Sequence, residues 1–246
     1  MQDQPIVDVV GLGKRYGSTV AVDDLAFTLG PGRVLAMVGP NGAGKTTTLR
    51  ALAGIVRPDA GQVRIAGIDV WADPVAAKRR LAWVPHEAQL FDALTIWEHL
   101  AFVASAWAVP AGWEARGRTL LERFELQGKA TAACGSLSLG MRQKVSLVMA
   151  ALHQPTLFML DEPMTGLDPR AIRTCKDWIR EEAARGAGLI LSSHLLSVVD
   201  DLCTDLLVLV EGRVRFFGPL EEARRALQGE KLEDLFFRAT EPARPP

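Results

Sequence analysis

One stretch constrains this chain more than any other: Gly39-Pro40-Asn41-Gly42-Ala43-Gly44-Lys45-Thr46-Thr47. It fits the spacing G-x-x-x-x-G-K-[ST], and its flanks fit as well. Arg33 to Val38 is a short apolar run with the character of a buried strand. Thr47 to Ala53 reads as a short helix that Gly54 stops. Strand, glycine loop and helix together form a cradle for polyphosphate. Glycines let successive backbone N–H groups turn inward, and the helix starting near Gly44 aims its positive end at the same anion. Lys45 adds a point charge for the outer phosphates, and the Thr46 hydroxyl is a ligand for Mg²⁺. Asn41, Ala43 and Thr47 complete the nucleotide-binding set.

Composition limits the rest. The 246 residues are 48% hydrophobic and 23% charged, enough apolar material for a substantial globular core. A net charge of −1 offers no general nucleic-acid surface, so no nucleic-acid partner is expected. Cys134, Cys175 and Cys203 are far apart in sequence and predict free thiols in a reducing compartment. The four histidines lack metal-ligand spacing. The first residues carry no charged-then-apolar leader, and the most apolar stretch, Leu100 to Val109, is half the roughly 20 residues a membrane span needs. Any membrane role must come through a partner.

Along the chain, Ile6 to Val10 and Val20 to Leu29 alternate as half-buried strands, with Lys14-Arg15-Tyr16-Gly17 read as a basic turn between them. Gln62 to Ala66 is a further strand after the turn Arg57 to Gly61. From Pro85 the periodicity becomes helical. Thr95 to Ala108 opens with a capping box, Thr95 and Glu98, and Glu114 to Leu126 and Met141 to Leu152 follow. Residues 86–155 therefore read as a helical insert. Strands return at Thr156 to Leu160 and Gly188 to Ser192, separated by a helix from Arg170 to Arg185. Glu211-Gly212 joins Leu206–Val210 to Arg213–Phe217 as a hairpin, and Leu220 to Ala239 reads as a charged amphipathic helical tail. The pattern predicts an α/β fold with a mostly parallel sheet. Residues 1–85 and 156–218 would form the nucleotide-binding core, 86–155 a helical arm, and 219–246 a tail.

A second acidic element completes the chemistry. Leu157 to Leu160 ends in Asp161-Glu162, at the end of a buried strand where such folds bind ligands. Asp161 would hold Mg²⁺, and Glu162 would orient or deprotonate the attacking water. Alone, two carboxylates leaving a strand are as readily a solvated exit; beside a phosphate loop they are a catalytic pair.

In this order the motifs resemble the ATP-binding subunits of ABC transporters, from about residue 6 to 218, with a P-loop NTPase core. The decisive match is Leu137-Ser138-Leu139-Gly140-Met141-Arg142-Gln143, similar to the family signature L-S-G-G-Q, with Leu139 in place of a glycine and Met141 in place of the glutamine. The resemblance implies that Ser138 and Gly140 contact the γ-phosphate of ATP bound to a second nucleotide-binding subunit, identical or related. It implies that Tyr16 stacks on adenine, that Thr165-Gly166-Leu167-Asp168 is an interface loop, and that His194 is a catalytic switch residue. It further implies an integral membrane permease subunit as partner and a place on the cytoplasmic face of the membrane. The signature variant and the segment Leu232-Glu233-Asp234-Leu235-Phe236 resemble export subunits. The pattern departs from the family after Trp83-Val84-Pro85, where His86 stands at the usual glutamine position and Gln89 is the nearest glutamine. His86 either ligates the metal or hydrogen-bonds in the glutamine's stead, or else coupling is weaker or relies on Gln89. Trp97, Trp107 and Trp113 either pack within the helical arm or line a groove for the permease. Two rivals remain: a non-transport ABC ATPase of assembly or regulation, and a phosphotransferase, against which a motif that works in trans argues.

Overall fold

A computed structural model describes residues 4–193 and 196–226. Strands β1 (Val7–Tyr16), β2 (Thr19–Leu29), β4 (Ala60–Ile65) and β5 (Ile68–Asp69) form one antiparallel sheet, ordered β2-β1-β4-β5. Strands β3 (Val34–Val38), β6 (Leu81–Val84), β7 (Leu157–Asp161), β8 (Gly188–Ser192), β9 (Asp205–Val210) and β10 (Arg213–Pro219) form the other, ordered β10-β9-β3-β8-β7-β6. All its pairings are parallel except the β9–β10 hairpin. Helices are α1 (Lys45–Leu52), α2 (Pro74–Lys78), α3 (Ile96–Ala106), α4 (Trp113–Arg123), α5 (Leu139–Leu152), α6 (Pro169–Ala184), α7 (Leu196–Leu202) and α8 (Leu220–Ala226).

The apolar runs of the parallel sheet are buried on both faces, and their alternate residues serve two cores. Val34, Ala36 and Val38 of β3 join Phe158 and Leu160 of β7, Leu189 and Leu191 of β8, and the buried faces of α3, α5 and α6. Leu35 and Met37 point the other way, with Leu157, Met159, Ile190, Leu207 and Leu209, against the antiparallel sheet and α1. This is why these strands read as continuous hydrophobic stretches and not as alternations. The widest side chain in the first core, Trp178, lies edge-on to Phe124 and Phe158 and donates its indole N–H to Glu182 at 2.8 Å.

Some boundaries differ from the sequence reading. Lys14, Arg15 and Tyr16 continue β1 and pair with Val22, Val20 and Thr19, so the turn is confined to residues 17–18. Their polar side chains lie on a solvent-facing end of the ribbon, where amphipathic alternation fades. The short elements β5, α2 and α7 carry too few periodic residues to announce themselves. No strand occurs between residues 86 and 155, whose sheet-like contact is a single bridge between Thr95 and Ala133. Of the expected tail, Leu220–Ala226 is helical; Leu232–Phe236 and the proline-rich end lie outside the described residues.

Candidate functional site

The phosphate loop joins the end of β3 to the start of α1. Gly44 sits at φ +103°, and a Cβ there would come within 2.4 Å of the Ala21 carbonyl on β2, so only glycine permits the loop to lie this close to the antiparallel sheet. Lys45 is buried, and its ammonium donates to the carbonyls of Gly39 at 2.6 Å and Pro40 at 3.1 Å. Burial pulls its pKa below the usual lysine range, while the charges of Glu162 and Asp161 oppose that shift. Thr48 closes the first turn of α1 by donating its hydroxyl to the Gly44 carbonyl at 3.0 Å.

Asp161 ends β7 in register with Ser192 at the end of β8. The Ser192 hydroxyl donates to Asp161 Oδ1 at 2.8 Å and fixes the orientation of the buried carboxylate. Glu162 follows at φ 51°, a left-handed conformation uncommon for a residue with a side chain. Its N–H donates to the Ser192 carbonyl at 3.0 Å, and its carbonyl accepts from the Thr165 N–H at 3.1 Å. The chain then turns through Thr165-Gly166-Leu167 into α6. There Asp168 is the N-cap, accepting from the Ala171 N–H at 2.9 Å, a bond that holds its carboxyl below the ordinary aspartate range.

One cavity of about 970 Å³ brings Asn41 through Thr47 together with Asp161, Glu162, His86 and Gln89. Gly39 and Pro40 lie behind it, holding Lys45 through their carbonyls. The Gln89 amide is turned to its own loop, donating to the Glu87 carbonyl at 3.2 Å. Tyr16 is not among the residues lining the cavity; it is exposed, with the Lys14 ammonium 5.6 Å from its ring centre. Ser138 and Gly140 also lie off the cavity, at the start of α5, where Ser138 is the N-cap and accepts from the Met141 N–H at 3.3 Å. A Cβ on Gly140 would meet the Gly166 carbonyl at 2.5 Å, so the signature turn packs backbone to backbone on the loop before α6. His194 lies outside the described residues.

The donors on offer suit Mg²⁺. Thr46 and Asp161 present oxygen to one cavity beside the phosphate loop, and among the described residues no group of three or more His, Cys, Asp or Glu gathers as a transition-metal site would require. Sequence reasoning did not find the role of Ser192. Its signal was weak: a small hydroxyl residue ending an apolar strand, made meaningful only by the β7–β8 register. Trp97, Trp107 and Trp113 are all partly buried against the first core, with Trp97 and Trp113 in ring contact at 5.4 Å and Arg118 over Trp97.

Residues 22–165 match the family model described as ABC transporter. The chain is 31% identical over 238 residues to the ABC-type transporter ATP-binding protein EcsA of Bacillus subtilis, covering 96% of both chains. It is 37% identical over 210 residues to the Nod factor export ATP-binding protein I of Ralstonia nicotianae, covering 85% of this chain and 65% of that one. A solved structure of the ATP-binding subunit of an ABC transporter superposes with a TM-score of 0.93 at 34% identity, covering 96% of this chain and all of the other.

Proposed function

The chain belongs to the ABC transporter family as an ATP-binding domain, and we propose that it is the Mg²⁺-dependent ATPase that powers export through a separate membrane permease. The observation that carries the reading is the single cavity in which the phosphate loop, Thr46, Asp161 and Glu162 converge. The export-related names of similar proteins support the direction of transport. Among the described residues no helix is long and apolar enough to cross a membrane.

In this reading the loop N–H groups and the α1 terminus bind the phosphates, and Lys45 leaves the Gly39 and Pro40 carbonyls for the β- and γ-phosphates. Thr46 and Asp161 would hold Mg²⁺, which would supply positive charge against the charge developing on the phosphates. His86 either adds a donor to that shell or hydrogen-bonds beside it. Glu162 orients water in line with the γ-phosphate and accepts its proton. Tyr16 stacks on adenine, and His194 contacts the γ-phosphate. Ser138 and Gly140 of a second copy, or of a related subunit, close the site from the other side. Residues 1–85 and 156–218 act as the nucleotide-binding core, 86–155 as a helical arm, and 219–246 as a tail. ATP favours the closed dimer, and hydrolysis with product release reopens it. The permease converts that cycle into export, which places the chain at the cytoplasmic face of the membrane.

The test is ATPase turnover of the full chain with and without its permease. Glu162→Gln should lower kcat at least about a hundredfold while MgATP is still bound, since only a base for the attacking water is lost. Turnover that survives Glu162→Gln would remove Glu162 from the role assigned here.

A further inference from the structure

We propose that Arg142 and Asp92 are positioning residues of the ATPase site: they lock the loop lining the phosphate cavity to the turn that presents Ser138 and Gly140. The inference rests on the reading that this turn acts on nucleotide held by a second subunit. The loop after β6 lines the cavity with His86, Glu87 and Gln89, then runs away from it towards α3. Its far half is laced to the segment before α5. Cys134 N–H donates to Leu94 O at 2.8 Å, Gly135 N–H donates to Asp92 O at 3.0 Å, and Thr95 bridges Ala133. The buried His99 braces the same loop from α3, its Nε2 accepting from the Phe91 N–H at 3.0 Å. Nε2 therefore carries no proton, which assigns Nδ1–H towards the Thr95 carbonyl at 3.1 Å.

Arg142 joins the two sides in one residue. Its backbone N–H closes the first turn of α5 on the Ser138 carbonyl at 2.9 Å. Its guanidinium reaches back to Asp92 Oδ1 at 2.6 Å and to the Cys134 carbonyl at 3.0 Å. Helix stability does not account for it. A cation near a helix N-terminus opposes the macrodipole, and an ion pair to a carboxylate as exposed as Asp92, at 72%, contributes little. What the arrangement does is geometric. A shift of the cavity loop on nucleotide binding is carried through Asp92 and Arg142 to the first turn of α5, so that occupancy of one site repositions the donors offered to the other.

The experiment uses the full chain in a Glu162→Gln background and reads MgATP-driven dimerisation by light scattering, alongside MgATP affinity at protein concentrations where the chain is monomeric. Arg142→Ala and Asp92→Asn should each raise the protein concentration for half-dimerisation about threefold, and the double variant should be no worse than either single. Monomer affinity for MgATP should stay within about twofold, because the phosphate loop is untouched. Reversing the pair, Asp92→Arg with Arg142→Asp, should restore the part of the dimerisation that the ion pair carries, while the bond to the Cys134 carbonyl stays lost. Should Arg142→Ala fold poorly, Asp92→Asn alters only an exposed side chain and carries the same test. The proposal is overturned if dimerisation is unchanged in both singles while Ser138→Ala abolishes it, if the singles add in full, or if monomer affinity falls in parallel. A Glu162→Gln parent that never dimerises, or a Ser138→Ala variant that dimerises normally, overturns the reading beneath it instead.

Discussion

Glu162 stands in a left-handed backbone conformation that costs on the order of 1–3 kcal/mol, and it is held there by the Ser192 carbonyl and the Thr165 N–H. Strain of this size persists where the surroundings over-determine a residue, and here it turns the side chain following Asp161 into the phosphate cavity. Lys45 shows the complementary case: a buried cation kept by two carbonyls and steadied by two acidic neighbours, which in the proposed reading would exchange those carbonyls for phosphate. The three thiols are different, since nothing in the site uses them. Burial pushes Cys175 up to about 12 and raises Cys134 and Cys203 as well, so that at pH 8 each is a protonated thiol away from solvent. Native protein treated with iodoacetamide at pH 8 should show no modified cysteine by mass spectrometry, and denatured protein should show all three. Rapid native labelling of Cys175 would mean that the α6 face of the core opens locally.

At the scale of elements, helix α3 is the clearest instance of a local signal becoming structure. The Thr95 hydroxyl accepts from the Glu98 N–H at 3.1 Å and the Glu98 carboxylate accepts from the Thr95 N–H at 2.8 Å. Thr95→Ala should cost about 1 kcal/mol and lower the melting midpoint by roughly 2–4 °C; an unchanged midpoint would show that the lacing of residues 92–95 to 133–135 alone fixes the helix start. The same logic separates what could be read beforehand from what could not. The strands β3, β7, β8 and β9 were legible because burial on both faces demands unbroken apolar runs, and the β9–β10 hairpin because Glu211-Gly212 separates two strand-like runs; both residues take positive φ in the turn. The continuation of β1 through Lys14, Arg15 and Tyr16 was not, because Arg15 and Tyr16 face solvent and Lys14 is covered only through its distant partners Arg57 and Asp59, so no alternation shows. The phosphate loop is one contiguous stretch whose spacing alone is legible, and the Asp161-Glu162 pair, itself contiguous, becomes legible once that loop is recognised. The Ser192–Asp161 bond and the Arg142–Asp92 pair depend on cross-strand register and on a loop folding back across a helix start, which no local pattern encodes.

Across the whole molecule, three consecutive strands of the parallel sheet carry the residues proposed for phosphate chemistry at their ends: β3 delivers the loop, β7 the carboxylates, and β8 between them the serine that bonds Asp161. The signature turn sits off that cavity, on α5, where it would meet nucleotide only when a second subunit is docked. In the function proposed here, a site split in this way would give ATP control over association, and a permease attached to each subunit would feel the opening and closing as mechanical work. The most direct test of that account is to purify a tagged full-length chain from membranes in mild detergent and identify what accompanies it. The account predicts a multi-span hydrophobic protein in near-equal amount, with MgATP turnover that falls when the two are separated. A chain that remains in the aqueous fraction and hydrolyses ATP alone, at the same rate, would contradict it.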